Sequence, residues 1–245
     1  IMGDYLPSDA TLNRFFALHV IALPLVLLLM VVLHIFALHE VGSNNPDGVD
    51  IKKGPKGNRW SPTAPADVIP FHPYYTVKDT FYVGFFLIVA AFIIFFAPAF
   101  GGWFLEHDNF TAADPLVTPA HIKPVWYYTP FYAMLRVVPD KLGGVILMFS
   151  AVLILALAPW LDTSRVRSCN YRPIYRQFFW LFVVVCVVLG WLGAKPPEGG
   201  YVIAARICTA YYFLHFLLVM PLVGLVAMVL GGLAAQVALR SYVRK

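Results

Sequence analysis

The sequence has little charge for its length. Charged residues make up 13% of the 245 positions, against about 25% in soluble domains. Sixty per cent of the residues are apolar, and the mean hydropathy is +0.73. A soluble domain of this size could not bury so many apolar side chains, and disordered chains contain few of them. The composition therefore excludes both classes and favours a chain that spans a bilayer.

Cysteine patterns are also missing. The three cysteines form no CxxC pair, which argues against a disulfide scaffold and a zinc finger, and no CxxCH tract is present to attach haem covalently. The chain begins Ile1-Met2 and continues into a polar loop without the basic and apolar regions of a signal peptide. We expect this start to correspond to the middle of a longer unit, with a fragment, a split gene and an incomplete sequence as the open alternatives.

Long apolar runs predict an all-α, polytopic bundle with five transmembrane helices. The runs cover about residues 12–38, 80–99, 142–160, 174–193 and 201–237. Ser8, Asp9 and Thr11 are N-cap residue types at the start of the first run. Pro221 lies inside the last run, which is longer than one crossing needs and is expected to tilt or kink.

The basic residues are distributed unevenly between the two sides of this bundle. Twelve of the 18 fall on the side of loop 40–77, loop 162–173 and the C-terminus. The positive-inside rule places that side in the cytoplasm, so the net charge of +5 requires no nucleic-acid partner.

Histidines in the first predicted span are the main candidates for a cofactor-binding site. Polar groups inside a membrane are costly and usually functional. His19 and His34 are fifteen residues apart, which in an α-helix means roughly 60° of rotation and ~22 Å of rise. They share a face but cannot bind one metal ion, and this arrangement suits two stacked haems with one histidine ligand each. Histidines satisfied by Ser, Thr or backbone partners are the alternative.

Several segments resemble cytochrome b of the quinol–cytochrome c oxidoreductase (bc1) complex. They are RFFALH and LHEVGSNNP in the first span, followed by IPFHPYYTVKD (69–79), TPAHIKPVWYYTPFYAMLR (118–136), PDKLGGV (139–145) and ILALAPWLDTSRVRS (154–168). The resemblance covers nearly the whole chain in the family's order and corresponds to the fourth to eighth of eight helices. It implies four regions, with residues 1–39 as haem-binding helix, 40–79 as inner loop, 80–141 as helix and outer loop, and 142–245 as a three-helix region.

The resemblance implies two b haems, with His19 ligating the low-potential haem near the outer side and His34 the high-potential haem near the inner side. It implies a Rieske iron–sulfur protein, cytochrome c1, the N-terminal cytochrome b helices and membrane lipid as partners in a dimeric complex of the bacterial inner membrane. Quinol and quinone would be substrates. The residues implied for inner quinone reduction are His39, Ser43, Asn44, Lys78 and Asp79.

The outer quinol-oxidation site departs from the family pattern. The family's Pro-Glu-Trp-Tyr signature, whose glutamate is proposed to accept a quinol proton, is Pro124-Val125-Trp126-Tyr127 here, and Tyr128 and Tyr132 follow it. Valine cannot accept a proton, so we expect another acceptor. Glu106 is the first candidate, Asp108 the second and His107 the third, with water as the alternative. Tyr132 is predicted to be a second catalytic residue of this site. Asp114 is expected to be a solvated loop charge.

Lys141, Gly143 and Gly144 follow the signature at the outer surface, where the family docks its iron–sulfur partner. The resemblance therefore implies that they form part of the docking surface, and the glycines would permit close backbone approach. A helix start with a solvated lysine is the alternative.

Two other functions compete with electron transfer between quinol and quinone. One is a transporter with a histidine proton relay, but groups ~22 Å apart cannot exchange a proton directly. The other is a non-catalytic haem-binding anchor of another respiratory dehydrogenase, which would not need the quinone-site residues.

Overall fold

The computed structural model describes residues 2–112, 114, 116–117 and 122–243, with side chains described as far as residue 231. The described part is helical, and its only β-pairing is an isolated bridge between Lys56 and Pro65. The helices are α1 (Asp9–Ala17), α2 (Leu23–Val41), α3 (Tyr74–Phe96), α4 (Thr129–Arg136), α5 (Lys141–Leu161), α6 (Pro173–Gly193), α7 (Gly199–Leu214) and α8 (Met220–Val243). Short 3₁₀ turns occupy Ile51–Lys53, Phe100–Gly102, His107–Phe110 and Cys169–Tyr171.

The predicted all-α fold with five spans is confirmed. Helices long and apolar enough to cross a membrane cover Asp9–Val41, Tyr74–Phe96, Lys141–Leu161, Pro173–Gly193 and Gly199–Gly231. The second span begins at Tyr74, six residues before the predicted start at Thr80. Hydropathy misses this turn because Thr76, Lys78 and Asp79 make it polar.

One compact unit comprises residues 1–49 and 110–120. Its main element is the continuous helix α1–α2, in which Leu18–Ala22 form a π turn. Ser8 is the N-cap, and its backbone N–H donates to Thr11 Oγ1 at 3.3 Å. The helix ends before Gly42, whose φ of 81° suits glycine. No residue of this helix is buried within the chain.

The other unit comprises residues 50–109 and 121–245, and its core lies among α4, α5, α6 and α7. Ala151 and Leu189 are fully buried there. α4 packs closely on α6 because Gly193 has no side chain, and a Cβ atom there would overlap the backbone oxygen of Thr129. Small residues permit such approaches between membrane helices.

Arg136 secures the same contact by donating to the carbonyl oxygens of Leu192 and Gly193 at 3.1 and 2.9 Å. These carbonyls lie at the end of α6, where i+4 partners are missing, and the Leu192 oxygen also accepts a hydrogen bond from the Lys195 N–H at 3.1 Å. Burial lowers the pKa of Arg136, while the neighbouring Tyr132 acts in the opposite direction. The guanidinium still remains charged, since its ordinary pKa lies far above neutrality.

The last span contains an irregularity that hydropathy does not reveal. A π turn at His215–Val219 joins α7 to α8, directly before Met220 and Pro221. The carbonyl oxygen of Pro221 accepts a hydrogen bond from Thr163 Oγ1 at 2.8 Å. This bond ties α8 to the loop that follows α5.

Candidate functional site

A cavity of about 740 Å³ lies in the second unit, between the loop after α3, the segment before α4 and the C-terminal half of α6. It is lined by Gly101, Gly102, Trp103, Glu106, Lys123, Pro124, Trp126, Tyr127, Thr129, Pro130, Cys186, Val187, Gly190, Trp191 and Ala194. The volume is that of a typical small-molecule site.

Aromatic rings form much of its wall. The indoles of Trp103 and Trp126 have centroids 6.3 Å apart, and Tyr127 meets Trp126 edge to face at 5.4 Å. Gly101 and Gly102 have φ values of 64° and 89°, which turn the chain sharply just before Trp103. The wall offers flat apolar surfaces to a planar ligand.

The charged side chains on this cavity are Glu106 and Lys123. Glu106 is half-buried, and within the described part of the chain it forms no ion pair. The structure thus brings Glu106 into one cavity with Pro124, Trp126 and Tyr127. A carboxylate in an apolar, partly enclosed site can exchange a proton with a ligand.

Three predicted site residues are not among those that line the cavity: Val125, Tyr128 and Tyr132. The catalytic role of Tyr132 stays a prediction, and in this structure its hydroxyl donates to the Ile122 carbonyl oxygen at 3.2 Å. Its ring also lies 4.3 Å from the guanidinium of Arg136. The contact with Ile122 helps to fix the position of α4 relative to the segment that precedes it.

The other candidate proton acceptors do not line the cavity that contains Glu106. His107 and Asp108 are exposed on the 3₁₀ turn His107–Phe110 and do not line the cavity. Asp114 is exposed and belongs to the first unit. Glu106 is therefore the carboxylate that the cavity contains.

Sequence reasoning missed the wall that α6 provides. Cys186, Val187, Gly190 and Trp191 contribute one face of the cavity, although they lie some sixty residues beyond the signature. The pair Gly190 and Gly193, one helical turn apart, was a readable sign of close helix packing.

At the start of α5, Lys141 is exposed and Asp140 accepts a hydrogen bond from the Gly143 N–H. Gly144 is buried, and a Cβ atom there would overlap the carbonyl oxygen of Leu135. Gly144 thus packs against α4 of this chain, and its part in a docking surface stays a prediction. This glycine lets α4 and α5 of this chain approach each other.

His19 and His34 both lie on the continuous helix of the first unit. His19 is within the π turn and His34 within α2, and both are exposed. A π turn accommodates one residue more than an α-helical turn. Because of this extra residue, the fifteen residues from His19 to His34 turn through about the same angle as fourteen residues of a regular α-helix. The two histidines therefore lie about 40° apart around the helix axis.

Neither imidazole has a hydrogen-bond partner in the described part of this chain. Buried histidines with Ser, Thr or backbone partners are thus not what this chain forms at either position. His215 differs, since it is 1% exposed, stacks on Phe182 and lies 3.5 Å from the Tyr175 hydroxyl. Neutral imidazoles with free nitrogens fit haem iron.

The predicted inner quinone residues are divided between the units. His39 lies in the last turn of α2, followed by exposed Ser43 and Asn44, all in the first unit. Lys78 and Asp79 belong to the second unit and lie in the second turn of α3, not at its start. Both side chains are exposed, with Lys78 Nζ 5.9 Å from the Tyr75 ring centroid.

Two family models match this chain, and together they cover residues 1–213. Residues 1–130 match the family described as cytochrome b (N-terminal)/b6/petB, and residues 112–213 match cytochrome b (C-terminal)/b6/petD. The cytochrome b of Allochromatium vinosum is 56% identical over 227 residues, or 91% of this chain and 54% of that protein. The cytochrome b of Rhodospirillum rubrum is 53% identical over 224 residues, or 91% of this chain and 52% of that protein.

A solved structure described as a hyperthermophilic respiratory Complex III aligns with a TM-score of 0.80 and 34% identity, covering 92% of this chain and 54% of the matched one. The chain spans about half the length of the relatives it matches. With the family matches over both halves and five helices able to cross a membrane, this chain is an integral membrane protein that belongs to the cytochrome b family.

Proposed function

We propose that this chain forms the helix-four-to-helix-eight part of a cytochrome b subunit that oxidises quinol at the outer side of a bacterial inner membrane and reduces quinone at the inner side. The observation that carries the proposal is the cavity that joins Glu106 to Pro124, Trp126 and Tyr127. The similar proteins are cytochromes b, and the similar structure is a respiratory Complex III.

At the outer cavity, the rings of Trp103, Trp126 and Tyr127 would hold the flat quinol head. Oxidation of quinol to quinone releases two electrons and two protons, and one electron would pass to the iron–sulfur partner and the other to the haem that His19 would hold. The partner iron–sulfur protein would take one proton, and Glu106 would take the other because it is the carboxylate on the cavity wall. Lys123 on the same wall would favour the charged form of an ionising quinol.

His19 and His34 would each supply one axial nitrogen to a separate b haem, and the second ligands would come from the N-terminal helices of the subunit. Bound haem supplies reversible one-electron transfer. The contribution of this chain is to keep both imidazoles on one face and free of other partners.

At the inner side, quinone reduction consumes two protons. His39 and Asp79 would deliver them, with Lys78 attracting the ionised species and Ser43 and Asn44 offering hydrogen bonds to its oxygens. The net transfer of electrons inward and of protons outward would form a Q cycle. Cytochrome c1 and a second copy of the subunit would complete the assembly.

The proposal is tested on the intact complex isolated from membranes. We expect a reduced-minus-oxidised spectrum with two b-type haems of different potential, together with electron transfer from quinol to cytochrome c. Haem without quinol oxidation would favour a membrane anchor of another dehydrogenase. Absence of a two-haem b-type signal would exclude the proposal altogether.

The π turn at Leu18–Ala22 predicts an unusual tolerance to deletion. Removal of Ile21 should let the turn become regular α-helix while the angle between His19 and His34 stays about the same. We expect both haems to remain. Insertion of one alanine after Ile21 should rotate one histidine by about 100° and remove at least one haem. Loss of haem in the deletion variant, with normal amounts of protein, would contradict this alignment of His19 and His34 around the helix axis.

Lys141 provides a test of partner docking. Lys141→Glu reverses an exposed charge at the start of α5, and we expect electron transfer from quinol to the iron–sulfur cluster to slow by roughly tenfold at low salt, because close charge pairs steer association. The difference should shrink at high salt. The matched control is Lys56→Glu in the loop on the basic side. An unchanged rate at low salt would remove Lys141 from the docking surface.

A further inference from the structure

The cavity that contains Glu106 has a charged end and an apolar end. Glu106 and Lys123 come from the loop after α3 and the segment before α4, and α6 ends on the side of these loops because successive spans alternate in direction. The wall that α6 provides carries no charged side chain and extends from Ala194 back to Cys186. An α-helix rises by about 12 Å over this interval. This wall therefore leads from the loops into the membrane span.

Gly190 widens the cavity between α4 and α6. At Gly193 a Cβ atom would overlap the backbone oxygen of Thr129, so the two helices touch there. At Gly190, one turn earlier, a Cβ atom would lie 3.7 Å from Pro130 Cγ and 3.8 Å from Thr129 Oγ1, which are ordinary contact distances. The helices therefore diverge from Gly193 towards Gly190. A methyl group at residue 190 would fit without overlap and would take up the space between them.

The apolar end of the cavity is open on one side. Val187 is 68% exposed and Trp191 is 53% exposed in this chain, although both line the cavity. Both residues lie within the membrane span Pro173–Gly193. A ligand can therefore extend from the cavity into apolar surroundings beside α6, where its hydrocarbon groups stay out of water.

These features match a ligand with a polar head and an apolar tail. A polar molecule without a tail gains nothing from the α6 wall. A hydrocarbon chain without a head gives Glu106 and Lys123 no role, although both line the same cavity.

We propose that the α6 wall is the subsite for the aliphatic tail of the quinol, and that Gly190 is a specificity-determining residue that keeps this subsite open. The tail lies along Cys186 and Val187 and leaves the bundle beside Val187. This inference rests on the proposed oxidation of quinol in the same cavity. It adds the substrate class that α6 selects, which is a quinol with an apolar chain on its ring.

The first experiment compares two quinols that share a ring, tetramethylbenzoquinol and its analogue with a decyl chain in place of one methyl group. Reduction of cytochrome c by the intact complex gives kcat/KM for each quinol. Gly190→Ala fills the space between α4 and α6. The matched control is Gly200→Ala, which adds the same methyl group near the start of α7, where it meets no side chain of the described part of the chain within 4 Å.

We expect the ratio of kcat/KM for the decyl quinol to that for tetramethylbenzoquinol to fall roughly tenfold in Gly190→Ala, as is usual for one methyl group in an apolar pocket. The ratio should not change in Gly200→Ala. An equal fall for both quinols in Gly190→Ala would place the ring at this glycine and overturn the tail subsite, and so would an unchanged ratio. Failure of the wild-type complex to oxidise either quinol would instead contradict quinol oxidation itself.

The second experiment needs no substitution and uses the free thiol of Cys186 on the α6 wall. Its alkylation by N-ethylmaleimide in the intact complex is followed by mass spectrometry of the peptide that contains it. We expect the decyl quinol to slow this alkylation several times more than tetramethylbenzoquinol does. Equal slowing would assign the ring to this wall, and no slowing by either quinol would show that a lipid chain or a partner helix occupies it. Both of these results would overturn the proposal.

Discussion

Glu106→Gln is expected to slow quinol oxidation by roughly a hundredfold or more, the usual cost of removing a positioned proton acceptor. Glutamine has almost the same shape, so the aromatic wall of the cavity and the binding of quinol should remain. The pH dependence of the rate should change as well, because the group that accepts the second proton is gone. Steady-state quinol oxidation by the purified complex across a range of pH measures both effects.

Two further variants sharpen this test. Asp108→Asn alters an exposed carboxylate close in sequence that does not line the cavity, so it should leave the rate unchanged. Val125→Glu in the Glu106→Gln background should restore part of the rate, because position 125 lies between the lining residues Pro124 and Trp126. If Glu106→Gln kept the normal rate and pH dependence, water would be the acceptor.

His19→Leu and His34→Leu are each expected to remove one b haem from the complex. An aliphatic side chain cannot ligate iron, and neither imidazole has another role within the described part of this chain. His19→Leu should abolish the low-potential haem and quinol oxidation, whereas His34→Leu should first abolish the high-potential haem. Redox titration of the b-haem absorbance separates the two cases.

The control is His72→Gln, which keeps a polar side chain at an exposed loop histidine whose ring lies 3.4 Å from the Thr76 hydroxyl. It should retain both haems. Equal loss of both haems in His19→Leu and in His34→Leu would point to general misfolding and would contradict separate ligand roles.

Helix packing gives two residues of the predicted outer site contacts that the sequence does not reveal. The sequence suggests that Tyr132 and Gly144 face a ligand or a partner, yet Tyr132 is bonded to the Ile122 carbonyl oxygen and Gly144 is covered by that of Leu135. Sequence spacing indicates which residues follow the signature. It does not indicate which side of the short helix α4 packs on α5 and α6, since that depends on contacts among distant segments.

The amino-acid sequence by itself determines the five membrane helices and places the two histidines on one helix face, because hydropathy and helical periodicity are local properties. The distribution of basic residues predicts the sidedness. Only the tertiary structure decides that Glu106 meets Trp126 on the wall that Gly190 and Trp191 complete. The same holds for the π turn that changes the angle between His19 and His34. These features depend on how closely the helices and their connecting loops approach, which is set by packing between residues far apart in the chain.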